Sequence, residues 1–125
     1  MNYIYNFSIL GETPAKKNSR INLKNGISIP SERYREWHSD AEMQLRGLRG
    51  SLPESPIETQ CEITLNFIHG DKRRRDSDNG TSSIMDLLVD CGILSDDNWN
   101  IVRTIHVLNN YQKNEPKCDV LIRLY

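Results

Sequence analysis

Apolar and polar positions alternate along two stretches of the chain and recur at a three/four spacing along two others. Tyr3, Tyr5, Phe7 and Ile9 alternate with mostly polar neighbours, which predicts a strand over residues 2–10. The cleanest alternation runs from 57 to 69. Ile57, Thr59, Cys61, Ile63, Leu65 and Phe67 form one face; Glu58, Gln60, Glu62, Thr64 and Asn66 form the other. This pattern predicts a long strand with one wet face. Tyr34, Trp37, Ala41, Leu45 and Leu48 share one side of a helix that opens at Ser31, a plausible N-cap, and stops at Gly50. Ile84, Leu87, Leu88 and Cys91 mark a second helix over about 79–91, capped by Asp78 or Asn79 and ended by Gly92. Between the first strand and the first helix lies a loop over 11–18. It is followed by a hairpin, in which Ile21-Asn22-Leu23 and Ile27-Ser28-Ile29 flank Lys24-Asn25-Gly26. Residues 101–108 and 118–125 read as two closing strands. The order β-(hairpin)-α-β-α-β-β predicts an α+β fold, a mixed β-sheet with two helices packed on it.

Composition adds limits. The sequence has 125 residues, 37% hydrophobic and 26% charged, which predicts a single domain over 1–125 with a core that needs no staples. No apolar run approaches the roughly 20 residues of a membrane span. The first residues lack the basic and apolar regions of a signal peptide. Cys61, Cys91 and Cys118 are an odd count without paired spacing, so neither a disulfide framework nor a zinc site is expected, and a reducing cytoplasm is. The net charge of −1 hides a polarised distribution. Lys72-Arg73-Arg74-Arg75 is a basic block, and Lys16, Lys17, Arg20 and Lys24 form a looser one. The acidic residues concentrate at Asp76, Asp78, Asp86, Asp90, Asp96 and Asp97.

The chemistry lies where these two charges meet. Asp76 and Asp78 stand two residues apart at a strand-to-helix passage, and Asp96-Asp97 follow the helix. A helix over 79–91 is about 18 Å long at about 1.5 Å per residue. The chain must therefore turn back for the two pairs to meet, and a strand over 101–108 paired beside 57–69 would supply that return. Gathered carboxylates repel one another unless a cation offsets them. An oxygen-only ligand set favours Mg²⁺ or Mn²⁺ over zinc. Beside arginines that attract phosphate, such a cation suits phosphodiester hydrolysis. Ordinary turn and capping roles for Asp76 and Asp78 are the competing reading. An EF-hand fails on register: counted from Asp76, Gly80 falls at position 5 instead of 6, and Leu87 stands at position 12 where a Glu is required.

The run Arg74-Arg75-Asp76-Ser77-Asp78-Asn79, with Asp86-Leu87-Leu88, Cys91-Gly92-Ile93-Leu94 and Asp96-Asp97, resembles the RusA-type Holliday junction resolvases. Pro14-Ala15-Lys16-Lys17-Asn18 is similar to the N-terminal segment of that family, and Ser31 and Tyr34 fall where the family enters its first helix. The resemblance implies a small homodimeric endonuclease that binds four-way DNA junctions and makes two symmetric cuts using Mg²⁺. It implies that Asp76, Asp78 and Asp97 are catalytic, metal-binding carboxylates, with Asp96 a neighbouring ligand. By the same resemblance Arg73, Arg74 and Arg75 contact DNA phosphate; Lys72 of the same basic block is read as DNA-binding with them, and Lys16, Lys17 and Arg20 as a phosphate-contacting flap, with a solvated loop as the competing reading. Asn79 and Asp86 are read as structural.

One position departs from the family pattern. A lysine three residues after the Asn is replaced by Ser82, so another cation, Lys16, Lys17 or Lys72, is needed in its place, or cleavage is weakened. This departure motivates the alternative of a non-cleaving protein that binds branched DNA. Of the remaining residues, Trp37 is read as core. His69 is read as a strand-end residue facing water, with a proton shuttle as the competing reading. Trp99 is read as core or dimer packing, with stacking on an opened base as the competing reading.

Overall fold

The computed structural model describes residues 4–15, 20–26 and 28–125. Four strands form the main sheet: β1 (Ile4–Leu10), β4 (Cys61–His69), β5 (Val102–Tyr111) and β6 (Lys117–Leu124), in the order β1-β6-β4-β5. Strands β2 (Arg20–Asn22) and β3 (Ser28–Pro30) form the predicted hairpin, with Ile21 opposite Ile29 and Gly26 at φ +84° in its turn. Helices α1 (Glu32–Arg46) and α2 (Thr81–Asp90) complete the α+β architecture. Lys16, Lys17 and Ile27 lie outside the described residues.

Period-two patterning sets the register. Phe7 pairs with Val120, which pairs with Leu65; Ile9, Cys118 and Phe67 form the next row. All six side chains are buried on one face. Against them pack Tyr34, Trp37, Ala41 and Leu45 of α1, and Ile84, Leu87 and Leu88 of α2. A one-residue slip would carry these rows to the opposite face, where Glu62, Thr64 and Asn66 sit, so the core enforces the register. The helices are tied together where His38 bridges Glu42 of α1 at 3.0 Å and Asp90 of α2 at 2.9 Å. Gln44 ties α1 to the end of β1 through both the N–H and the carbonyl of Leu10.

Several boundaries differ from the sequence pattern. Helix α1 opens as predicted, with the Ser31 hydroxyl accepting from the Tyr34 N–H at 3.2 Å. It ends at Gly47 instead of Gly50, because glycine is a poor helix former, and Leu48 folds onto the core from beyond the helix. The long strand begins at Cys61; Ile57 is buried but makes only an isolated bridge to Leu94, and Thr59 is exposed. Neither Asp78 nor Asn79 caps α2. Gly80 holds that position without a side-chain cap, because a Cβ there would lie 2.8 Å from the Phe67 ring and 2.9 Å from Thr13 Cγ2. Gly92, at φ +74°, ends the turn after α2 as predicted.

Strand β5 does pair beside β4, but in parallel, with α2 as the crossover. It therefore starts at the Cys61 end of β4, and α2 separates the two acidic segments.

Candidate active site

The acidic and basic residues sit on the loop between β4 and α2 and on the turn between α2 and β5. Gly70 leaves β4 pressed against Pro116, where a Cβ would lie 2.8 Å from the ring. Asp71 then accepts the Arg73 N–H at 2.9 Å. That bond, together with Arg75, pulls the Asp71 carboxyl below its ordinary pKa. Next comes the turn Asp76-Ser77-Asp78-Asn79, closed by the Asn79 N–H to the Asp76 carbonyl and the Thr81 N–H to the Asp78 carbonyl, each at 3.1 Å. The N-terminal loop is stapled against the same place: the buried Ser83 hydroxyl donates to the Pro14 carbonyl at 2.5 Å.

The four members of the basic block have different surroundings. Arg75 is only 14% exposed and pairs with Glu12 at 3.1 Å and Asp71 at 3.0 Å. It also donates to the Arg73 carbonyl at 3.1 Å, so it braces the loop from inside. Arg73 is 77% exposed, with only a loose contact to Asp71 at 3.9 Å. Arg74 is exposed, and no described residue pairs with it. Lys72 lies over the Tyr111 ring, 5.0 Å from its centre. Lys72, Arg73, Arg75, Ser77 and Tyr111 line part of a cleft of about 310 Å³. Arg20 opens β2, away from this loop in sequence.

His69 does not face water. Its side chain is 15% exposed and sits between Glu12, 2.8 Å from Nδ1, and Asn109, 2.8 Å from Nε2. Asn109 donates in turn to the Ser77 carbonyl at 2.7 Å. Nothing in the sequence pattern distinguishes Glu12, in a loop, or Asn109, on an edge strand, from ordinary surface residues. Their partners are 57 and 32 residues distant.

Asp76 and Asp78 are exposed, and neither carboxylate has a partner among the described residues. Beyond α2, Asp96 accepts the Asp97 N–H at 2.7 Å and the Asn98 amide at 3.0 Å, which pull its pKa down. The Asp97 carboxyl is pushed up, first by burial, then by its hydrogen bond with Asp96 and by the negative charges of Asp86 and Asp96. Asp86 is half-buried on α2, where its charge opposes ionisation of Tyr34 and Asp97. Ser82 is exposed on the first turn of α2. Trp99 is 75% exposed, which corrects the core half of its reading as core or dimer packing.

The donor set fits a hard divalent cation: oxygen ligands only, two of them unengaged, and one whose ionisation is opposed by neighbouring negative charge. Within one chain, however, the set is divided. Asp76 and Asp78 precede α2 and Asp96 and Asp97 follow it, and the ten residues of α2 span about 15 Å. No three His, Cys, Asp or Glu side chains among the described residues gather closely enough to hold a metal ion.

Known proteins resemble the chain over most of its length. Residues 11–123 match the family model of the endodeoxyribonuclease RusA. The chain is also 24% identical over 115 residues to the crossover junction endodeoxyribonuclease RusA of Aquifex aeolicus (strain VF5), covering 91% of this chain and 87% of that one. The chain belongs to the RusA endodeoxyribonuclease family.

Proposed function

We propose that this protein resolves four-way DNA junctions by paired, symmetric hydrolysis of two phosphodiester bonds with Mg²⁺, or Mn²⁺ in its place. The observation that carries the reading is the pair Asp76 and Asp78, two exposed carboxylates without partners among the described residues, on a turn that follows the exposed Arg73 and Arg74. The arginines draw the phosphate backbone to the turn. Asp76, Asp78, Asp97 and, beside it, Asp96 would hold the cation. When bound, a divalent cation polarises the phosphate and lowers the pKa of a coordinated water. Water attacks phosphorus in line with the leaving 3′ oxygen. The P–O3′ bond breaks and the 3′ oxygen takes up a proton, leaving a 5′-phosphate and a 3′-hydroxyl.

We infer a homodimer on two grounds. A junction offers two equivalent strands, and a two-fold axis presents two equivalent sites to them. The division of the acidic set by α2 supports a site shared between copies, with Asp76 and Asp78 from one chain and Asp96 and Asp97 from its partner. The non-cleaving alternative finds no support, since both comparisons are with endodeoxyribonucleases. The setting we propose is the cytoplasm, where the three free thiols persist. No helix among the described residues is long and apolar enough to cross a membrane.

The test is a labelled mobile four-way junction incubated with the protein in Mg²⁺ and in EDTA. Paired symmetric nicks in Mg²⁺ alone are expected. A junction that shifts in the gel but stays uncut in both sinks the catalytic reading. Mixing Asp78→Asn with Asp97→Asn chains tests the shared site. Mixed dimers recover cutting if the site spans two chains, because one of the two sites then carries neither substitution.

A further inference from the structure

The hydrogen-bond chain beneath the carboxylate turn has a fixed direction from its Ser77 end as far as His69 Nε2. The Ser77 carbonyl can only accept, so the Asn109 amide nitrogen donates to it, at 2.7 Å. Asn109 Oδ1 then faces His69 Nε2 at 2.8 Å, and that nitrogen donates. The other face of the ring meets the Glu12 carboxylate at 2.8 Å, and the second oxygen of Glu12 takes Arg75 at 3.1 Å. Each member thus orients the next, from the N-terminal loop through β4 and β5 to the turn.

The chain ends where it matters for the carboxylates. Besides the turn's own backbone bonds at the Asp76 and Asp78 carbonyls, two anchors flank Asp76: the Arg75 side chain before it and the Ser77 carbonyl after it, with Asp78 following. Since no described residue holds the carboxylates of Asp76 and Asp78, their positions depend on how these anchors fix the turn. Catalytic groups displaced by about 1 Å can lose about 10²-fold in rate. We propose that Asn109, oriented by His69 and Glu12, is a positioning residue for phosphodiester hydrolysis, holding the Asp76-Ser77-Asp78 turn against the end of β5. This role rests on the reading of Asp76 and Asp78 as catalytic carboxylates.

Asn109→Asp tests it, because the substitution keeps an oxygen toward His69 and removes the donor to Ser77. Asn109→Ala removes both without adding charge. Asn109 is exposed on an edge strand, so folding should be retained in both variants. In metal-free protein, amide exchange over residues 76–81 should rise about tenfold or more in both variants. Exchange in β4 and α2, the melting temperature and junction binding in EDTA should stay as in wild type. Single-turnover cutting should fall about 10–100-fold, as for other residues that orient metal ligands, with a higher Mg²⁺ concentration at half-maximal rate. Wild-type exchange over 76–81, or wild-type cutting, overturns the positioning role. So does a loss of cutting that merely follows a fall in melting temperature. Asp78→Asn serves as the control on the parent reading. If it cuts at the wild-type rate, that reading and the positioning role both fall. If it is dead while Asn109→Asp is normal, only the positioning role falls.

Discussion

Gly80 lies so close to Phe67 that a Cβ on it would stand 2.8 Å from the ring edge, and 2.9 Å from Thr13 on the other side. Helix α2 therefore begins flush against β4 and the N-terminal loop, its cap Gly80 only two residues after Asp78. Gly80→Ala should push the start of the helix off the sheet. The expected cost is about 1–3 kcal/mol, the usual penalty for overpacking, read as a lower denaturation midpoint at unchanged m-value. Cutting should suffer more than stability, because the turn that carries Asp76 and Asp78 moves with the helix end.

Asp78→Asn and Asp97→Asn should each lower cutting by at least about a hundredfold. Lewis-acid stabilisation of several kcal/mol depends on the ligand set, and each 1.36 kcal/mol is tenfold in rate. Junction affinity in EDTA should not fall. Equal loss of binding and cutting would mean that these residues serve the fold or the DNA contact instead.

Arg73, Arg74 and Arg75 are neighbours in sequence, but they should answer differently. Arg73→Ala and Arg74→Ala should weaken junction binding and lower the salt dependence, each by about one unit of slope. Arg75→Ala leaves Glu12 and Asp71 without their partner in the loop. It should lower stability while leaving the salt slope close to wild type. Binding titrations at several salt concentrations, beside thermal melts, distinguish the two outcomes.

Ser82 is exposed on the first turn of α2, so Ser82→Lys introduces a cation without displacing a packed side chain. If the missing lysine limits the chemistry, the single-turnover rate should rise at unchanged junction affinity. A rate equal to wild type would show that another cation already fills the role.

High pH should destabilise the fold. Burial, with the charges of Asp86 and Asp90 adding to it, pushes the Tyr34 hydroxyl up to about 12, and burial pushes the Cys61 thiol up to about 11. Burial raises Cys118 as well. Each group has a higher pKa folded than unfolded, so its contribution is complete below the unfolded pKa. It is lost as pH rises through the folded one. Melting temperature should therefore fall between about pH 9 and pH 12, the span from the ordinary thiol to the shifted tyrosine. At neutral pH a thiol reagent should reach the half-buried Cys91 before Cys61 and Cys118, which it should label only on unfolding. Prompt labelling of all three would contradict the packing described here.

The elements and the residues that carry the chemistry were legible along the chain, because both rest on local regularities. Alternation at Phe7 and Ile9, and at Ile63, Leu65 and Phe67, reports a half-buried strand wherever its partners lie. A three/four spacing at Tyr34, Trp37, Ala41 and Leu45 reports a helix face in the same way. The acidic and basic motif was legible too, since its members lie within 26 residues of one another. Sequence could not show that β5 pairs with β4 in parallel, which leaves the two acidic segments at opposite ends of α2. Strand direction is decided by how the crossover helix packs, not by the strand's own pattern. Nor could it show that Arg75 is spent on Glu12, that His69 is enclosed, or that Asn109 holds Ser77. Hydrogen bonds between residues dozens of positions apart leave no periodic trace; they exist only once the sheet and the helices have brought the loops together.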